Sequence, residues 1–261
     1  MLSGKITDEI FNSILPTYQL ERAYEWYSSY GSPDEQVQIL IYLGRSYFAD
    51  GDYDKAMSIY TNALDIAEKN KLNNLTGYIY DYIGDLYREK FMRTEAIKKY
   101  KAAAECFKKE KNTDSYACAL RDVGREYAEM DSLSHALHIL IIADSVANKT
   151  KNIEVTASIN NALGNIYAMQ NKYDKAEKYL LKALLTGREK MPDYVALIDL
   201  YTTSGSINKA KELLSKIPQD NPQYTCSIKY LYYQIYNAEE NDKEALVNLE
   251  EYVNMVDSIV Y

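Results

Sequence analysis

Apolar residues recur at spacings of three and four residues along most of the chain, as in the segment YLGRSYFADGDYDKAMSIYTNAL. This spacing places the apolar side chains on one face of a helix, so it predicts amphipathic α-helices. Short polar segments separate the predicted helices, and no proline interrupts residues 34 to 191. We therefore expect an all-α fold built from helices that are joined by short turns.

The helical pattern repeats with a period of 40 residues. Four glycines mark the repeat: Gly44, Gly84, Gly124 and Gly164. A tyrosine follows each glycine after three residues and an alanine after twelve, and this tyrosine–alanine pair recurs twice more without the glycine, at Tyr201 and Ala210 and at Tyr236 and Ala245. Because glycine destabilises a helix interior, its recurrence predicts that glycine and alanine remove side-chain bulk where the two helices of a repeat meet.

The recurring residues resemble those of a known repeat. The set Leu43, Gly44, Tyr47, Ala56, Tyr60 and Ala63 is similar to the tetratricopeptide repeat, and it recurs in segments that begin near residues 34, 73, 113, 152, 191 and 220. The resemblance implies an α-solenoid of antiparallel helix pairs wound into a right-handed superhelix. The period of 40 exceeds the usual 34 of the family, so these repeats resemble the lengthened ones of kinesin light chains, cell-polarity adaptors and bacterial regulators that read peptides.

The resemblance divides the chain into three regions. Residues 1–33 are expected to form a degenerate N-terminal capping repeat, with Phe11 and Ile14 on its first helix. Residues 34–190 hold four regular 40-residue repeats, and residues 191–261 hold two shorter, divergent ones. The array is therefore predicted to contain about six repeats in addition to the degenerate one.

In solenoids of this family the first helix of each repeat lines a concave groove where ligands bind. Residues at i, i+4 and i+7 share the face that is expected to meet the groove. The candidate groove residues are Arg45, Asp81, Asp85, Arg88, Arg121, Arg125, Asn161 and Asn165. Asparagine amides offer a donor and an acceptor to an extended backbone, and arginines pair with the carboxylates of an acidic segment. The same charges also fit salt bridges between neighbouring repeats, and the sequence leaves both interpretations open.

These features predict a scaffold that binds a protein or an extended peptide in its groove, and not an enzyme. The alternative is a sensory or regulatory domain of a larger bacterial signalling or transcription regulator. No catalytic or cofactor-binding set is evident, since the chain carries neither a phosphate-binding glycine loop nor a nucleophile elbow. His135 and His138 lack a carboxylate or a cysteine one turn away, so no metal site is expected.

Composition and charge narrow the partners and the compartment. The net charge of -8 argues against nucleic-acid binding, which requires a basic face. No apolar stretch reaches the roughly 18 residues of a membrane-spanning helix, and the N-terminus does not resemble a signal peptide. Three cysteines are too few for a disulfide scaffold, although the sequence leaves a bridge between Cys106 and Cys118 open. The cytoplasm is favoured, and a periplasmic location stays open.

The last predicted helix suggests self-association. Leu249, Tyr252, Val253 and Val256 form an apolar face on it that continues to Ile259, Val260 and Tyr261. No later repeat covers this face, and a helix face of this kind exposes an apolar area typical of an interaction site. We therefore expect a homodimer through the C-terminal helix, with a monomer shielded by neighbouring polar residues as the alternative.

Overall fold

A computed structural model describes residues 16–260 of the chain, with side chains through residue 257. Within this part the chain forms thirteen α-helices and no strand, which confirms the predicted all-α repeat fold of the α-solenoid class. In chain order the helices are α1 Thr17–Tyr30, α2 Pro33–Ala49, α3 Tyr53–Lys69, α4 Asn73–Glu89, α5 Arg93–Lys109, α6 Thr113–Glu129, α7 Leu133–Ala147, α8 Ile153–Met169, α9 Tyr173–Thr186, α10 Met191–Thr203, α11 Ile207–Leu214, α12 Thr225–Ala238 and α13 Asp242–Val260.

The chain divides into two compact units, Met1–Ser132 and Leu133–Tyr261. The first unit contains α1 to α6, and the second contains α7 to α13. The even-numbered helices from α2 to α12 are the first helices of the predicted repeats, and the odd-numbered ones from α3 to α13 are the second helices. Phe11 and Ile14, which were assigned to the degenerate repeat, lie outside the described residues, and α1 represents the rest of that segment.

One kind of turn connects most of the helices. A residue in the left-handed conformation follows the helix end at Gly51, Lys71, Phe91, Lys111, Asp131, Asn171, Gly205 and Glu240. The next amide donates to the carbonyl five residues earlier, as from Met92 N to Tyr87 O at 2.8 Å. This pair of features is the Schellman motif, which satisfies carbonyls that the helix end would otherwise leave unpaired.

The repeated tyrosine has a backbone role in these turns. In each first helix that ends in this motif, the accepting carbonyl belongs to the tyrosine found in the sequence repeat: Tyr47, Tyr87, Tyr127, Tyr167, Tyr201 and Tyr236. The second helices α3 and α5 close in the same way on the carbonyls of Ala67 and Phe107. The turns at residues 51 through 131 are therefore spaced by 20 residues, half of the period visible in the side chains.

Helix starts are fixed by side chains that accept hydrogen bonds from free backbone amides. Ser32 and Glu35 form a reciprocal capping box at the start of α2, and Pro33 occupies the first turn, where no amide hydrogen is needed. Asp52 caps α3, Asn112 caps α6 and Asn152 caps α8. These caps set where each helix begins and hence which residues face its neighbours.

The recurring glycines allow a large side chain of the second helix to reach the first helix. A Cβ atom on Gly84 would lie 2.5 Å from Cε1 of Tyr100, and one on Gly164 would lie 2.5 Å from Cγ of Leu180. Gly44 faces the ring of Tyr60 in the same way. The side chain that requires the glycine is therefore the buried residue four positions after the repeated alanine, and the alanine itself packs beside it.

Replacing Gly84 with alanine tests this contact by the sign of its effect. In an exposed helix the change would stabilise the fold by about 1 kcal/mol. Here the new methyl group overlaps Tyr100, so we expect the free energy of unfolding to fall by about 1–3 kcal/mol in a denaturant titration. In a Tyr100→Ala background the same change should be neutral or stabilising, and a loss of stability there would contradict the packing model.

The left-handed turns make a second prediction, at Lys71. Its φ of 57° is unfavourable for a residue with a Cβ atom, and glycine adopts such angles freely. We expect Lys71→Gly to raise the free energy of unfolding by about 0.5–1 kcal/mol, measured by denaturation. Lys71→Ala removes the same charge but keeps the Cβ atom, so it should give no gain, whereas Gly51→Ala should destabilise.

Candidate functional site

Five candidate groove residues of the first unit lie on α4 and α6, and Arg45 lies on α2. Arg45 is exposed, and its guanidinium carbon lies 5.7 Å from the centre of the Tyr82 ring on α4. With Ile41 and Tyr78, this pair lines a pocket of about 270 Å³. An arginine over an aromatic face is held by a cation–π interaction, so Arg45 has a fixed direction while staying accessible.

The arginines of α6 are engaged by an aspartate that the sequence interpretation missed. Arg121 donates to both carboxylate oxygens of Asp122, with Nε–Oδ1 at 2.9 Å and Nη2–Oδ2 at 2.8 Å. Arg125 lies 3.6 Å from the same carboxylate. Asp122 is buried, so its charge requires these partners. The guanidinium charges that were assigned to a bound acidic segment are therefore largely balanced within α6.

On α4 the two aspartates differ in their partners. Asp85 accepts a hydrogen bond from the Tyr100 hydroxyl at 2.8 Å and pairs with Arg88 at 3.0 Å. Asp81 is half-buried, and its Oδ1 atom has no hydrogen-bond partner. Burial, followed by the nearby charges of Asp122 and Asp85, raises the pKa of Asp81 to about 8, and Arg121 opposes this increase. Asp81 is therefore the least satisfied charge of this face.

The largest opening described in the second unit is a cavity of about 840 Å³ between α8, α10 and α12. Each of these first helices contributes a pair of residues four apart, as helical geometry requires of one face. The pairs are Asn161 and Asn165, Val195 and Asp199, and Tyr230 and Gln234. The structure thus brings the two candidate asparagines together with residues of the two divergent repeats.

A chain of hydrogen bonds orients the asparagines. Asn161 Nδ2 donates to Oδ1 of the buried Asp193 at 2.7 Å, and Asn165 Nδ2 donates to Asn161 Oδ1 at 3.1 Å. A carboxylate only accepts hydrogen bonds, so Asp193 fixes the direction of both amides. Burial raises the pKa of Asp193, and the hydrogen bond from Asn161 opposes that increase. Asn161 thus ties α8 to α10, whereas Asn165 is exposed at the cavity wall.

The residues that sequence interpretation missed carried a recognisable signal. Asp122 stands 40 residues from Tyr82 on one side and Ala162 on the other, in a column where tyrosine or alanine is usual. A charged residue at such a position is informative because it must be paired when buried. Asp193 gives a weaker signal, since an acid in the first turn of a helix is common without any ligand role.

Other candidate chemistry is limited in the part of the chain that the structure describes. Cys106, Cys118 and Cys226 are free thiols, and burial raises the pKa of the first two. Between residues 16 and 260, histidine, cysteine and acidic side chains form no group of three able to hold a metal ion. No helix in that range combines the length and the apolar character needed to cross a membrane.

The raised pKa of Asp81 generates a pH-dependent prediction. Folding favours the protonated carboxyl, so its contribution to stability is full below about pH 4, the value for an unfolded aspartate, and is lost as the pH rises through about 8. Asp81→Asn is neutral at every pH. We expect its melting temperature to exceed that of the wild type at pH 8.5 and to match it near pH 5, in calorimetry. Asp65→Asn removes an exposed carboxylate of the same unit and should show no such difference.

Comparison with known proteins places the repeats in a family. Residues 37–70 and residues 156–191 each match a tetratricopeptide-repeat model, one in each unit. No curated protein matches the chain at a significant level. The two matches coincide with α2 and α3 and with α8 and α9, the helix pairs that carry Gly44 and Gly164.

Solved structures share the fold at low sequence identity. A Rap protein complexed with Competence and Sporulation Factor has a TM-score of 0.71 at 18% identity, over 93% of this chain and 70% of that chain. BtubC from P. vanneervenii has a TM-score of 0.66 at 18% identity, over 77% and 87%. A tetratricopeptide repeat protein from Parabacteroides merdae has a TM-score of 0.65 at 17% identity, over 92% and 93%. With its repeats matched directly, the chain is a tetratricopeptide-repeat protein, a member of a family of protein–protein interaction scaffolds.

Proposed function

We propose that the chain binds an extended peptide segment of a partner protein, and that the cavity between α8, α10 and α12 is its principal site. The cavity carries this proposal because three successive first helices contribute to one opening. Its volume of about 840 Å³ lies in the range of cavities that bury most of a small ligand's surface, which is enough for a few residues of an extended chain.

The chemistry of the lining suits a peptide backbone. Asn165 and Gln234 present amide groups from opposite sides, and each amide contains both a donor and an acceptor. Met191, Val195 and Ala196 provide apolar surface between them, where peptide side chains would pack. A few placed polar groups on an apolar lining are the usual composition of a binding site.

The charged face of the first unit has a weaker claim to the same role. Arg45 and Arg125 are accessible there, but Asp81, Asp85 and Asp122 balance the positive charge of the face. Binding of an acidic segment at Arg121 would require breaking its bidentate pair with Asp122. We therefore assign the first unit a supporting contact through Arg45 and Arg88, without preference for an acidic partner.

Two other proposals stand beside this one. The homodimer through α13 is supported by the exposure of Leu246, Val247 and Val253, while the side chains of Ile259, Val260 and Tyr261 lie outside the description. A role as the regulatory domain of a larger protein stays a prediction.

Filling the cavity tests the proposal. We expect the immobilised protein to retain a specific subset of a random heptapeptide library, as judged by sequence enrichment over a blank surface. Val195→Trp places an indole in the cavity and should abolish this enrichment. Leu185→Trp adds the same group at a side chain that is 79% exposed on α9, and it should leave the enrichment unchanged. Absence of enrichment with the wild type, or equal enrichment with Val195→Trp, would refute the proposal.

A further inference from the structure

The cavity between α8, α10 and α12 carries negative charge that no lining residue compensates. Glu189 and Asp199 contribute carboxylates to its wall, and none of the thirteen lining residues is a lysine or an arginine. The charged face of the first unit differs in this respect, because arginines pair with its aspartates. A ligand of the cavity therefore meets an uncompensated negative potential, and the net charge of -8 on the chain acts in the same direction.

The amides of the wall are oriented so that their oxygens are left over. Gln234 Nε2 donates to Asp199 Oδ1 at 3.2 Å, and because a carboxylate cannot donate, the Gln234 oxygen must point away from it. That oxygen, Oε1, is buried and has no hydrogen-bond partner. A buried acceptor without a partner costs roughly 1–3 kcal/mol, so a ligand donor that reaches it is favoured.

The opposite side of the cavity shows the same polarity. Asn165 Nδ2 is used by Asn161, which is itself oriented by Asp193. The Asn165 oxygen is therefore directed away from this hydrogen-bonded chain. Of the two carboxylates, Glu189 accepts from the Met191 amide through Oε1 only, at 3.1 Å. The cavity thus offers acceptors from two sides.

Aromatic rings complete the site. Tyr224 and Tyr230 line the cavity, and Tyr230 lies beside Asp199 and Gln234 in the same lining. Tyrosine rings attract cations through their electron-rich faces. Carboxylate, amide oxygen and aromatic ring together match a group that is positively charged and rich in hydrogen-bond donors.

We infer that the cavity selects peptides with a basic side chain, lysine or arginine, whose cation lies against Asp199, Gln234 Oε1 and Tyr230. This inference rests on the proposed function, and it adds the chemical class of the bound segment. It reverses the sign expected from Arg121 and Arg125, which belong to the other unit and are balanced by Asp122.

The heptapeptide selection distinguishes this inference from the proposed function. We expect lysine or arginine to be enriched at one position of the retained peptides, and Asp199→Asn to lose that enrichment. Asparagine at 199 still accepts from Gln234, so the wall keeps its geometry while the charge is removed. Asp174→Asn makes the same change of net charge on α9 at an exposed position and should keep the enrichment.

A synthetic pair of peptides measures the effect. A retained peptide should bind at least tenfold more weakly when its arginine is replaced by citrulline, or its lysine by norleucine, in a fluorescence anisotropy titration. Asp199→Asn should weaken the basic peptide by a similar factor and leave the neutral analogue unchanged, which a purely structural role of Asp199 would not produce.

The outcomes separate the two claims. Retention that Val195→Trp abolishes, without any preference for basic residues, would overturn this inference and leave peptide binding in place. Preference for acidic peptides would overturn it as well. No specific retention, or retention that ignores Val195→Trp, would overturn both.

Discussion

The left-handed turn after each helix is the constraint on which the repeated architecture depends. It ends most helices at a fixed distance from their start, so six of the helices have the same length of 17 residues. Equal lengths keep neighbouring first helices in register, so residues at i and i+4 of successive helices meet at one wall. The cavity between α8, α10 and α12 arises in this way, although α10 and α12 are shorter. Backbone hydrogen bonding at the turns thus determines where side chains meet a ligand.

Much of the fold could be predicted from the sequence because packing at close helix contacts tolerates few residue types. Gly84 must remain small for Tyr100 to fit, and such positions recur visibly. The turns were less visible, because non-glycine residues such as Lys71 and Phe91 adopt the left-handed conformation there. Their stability comes from the hydrogen bonds and helix packing around them, and propensity alone would have assigned glycine. The 20-residue spacing of the turns was therefore hidden behind a 40-residue pattern of side chains.

The candidate site was predictable in position and less so in character. Helical periodicity placed Asn161 and Asn165 on one face, and the structure brings them to a common cavity. Periodicity cannot show which charges are already paired, because that depends on neighbours such as Asp122 beside Arg121. Nor does it reveal Asp193, which comes from the next repeat and decides how the amides point. The sign of the charge presented to a ligand is thus a property of contacts between helices.

The hydrogen-bonded chain from Asp193 through Asn161 to Asn165 makes recognition depend on a residue remote from any ligand. An amide can present either its oxygen or its nitrogen after a half-turn about one bond, at little steric cost. A hydrogen-bond donor in place of Asp193 would turn Asn161 around, and Asn165 would follow. The cavity wall would then present hydrogens where it now presents an oxygen. Divergence between relatives of this chain can therefore invert what the pocket selects while every residue that lines it stays the same.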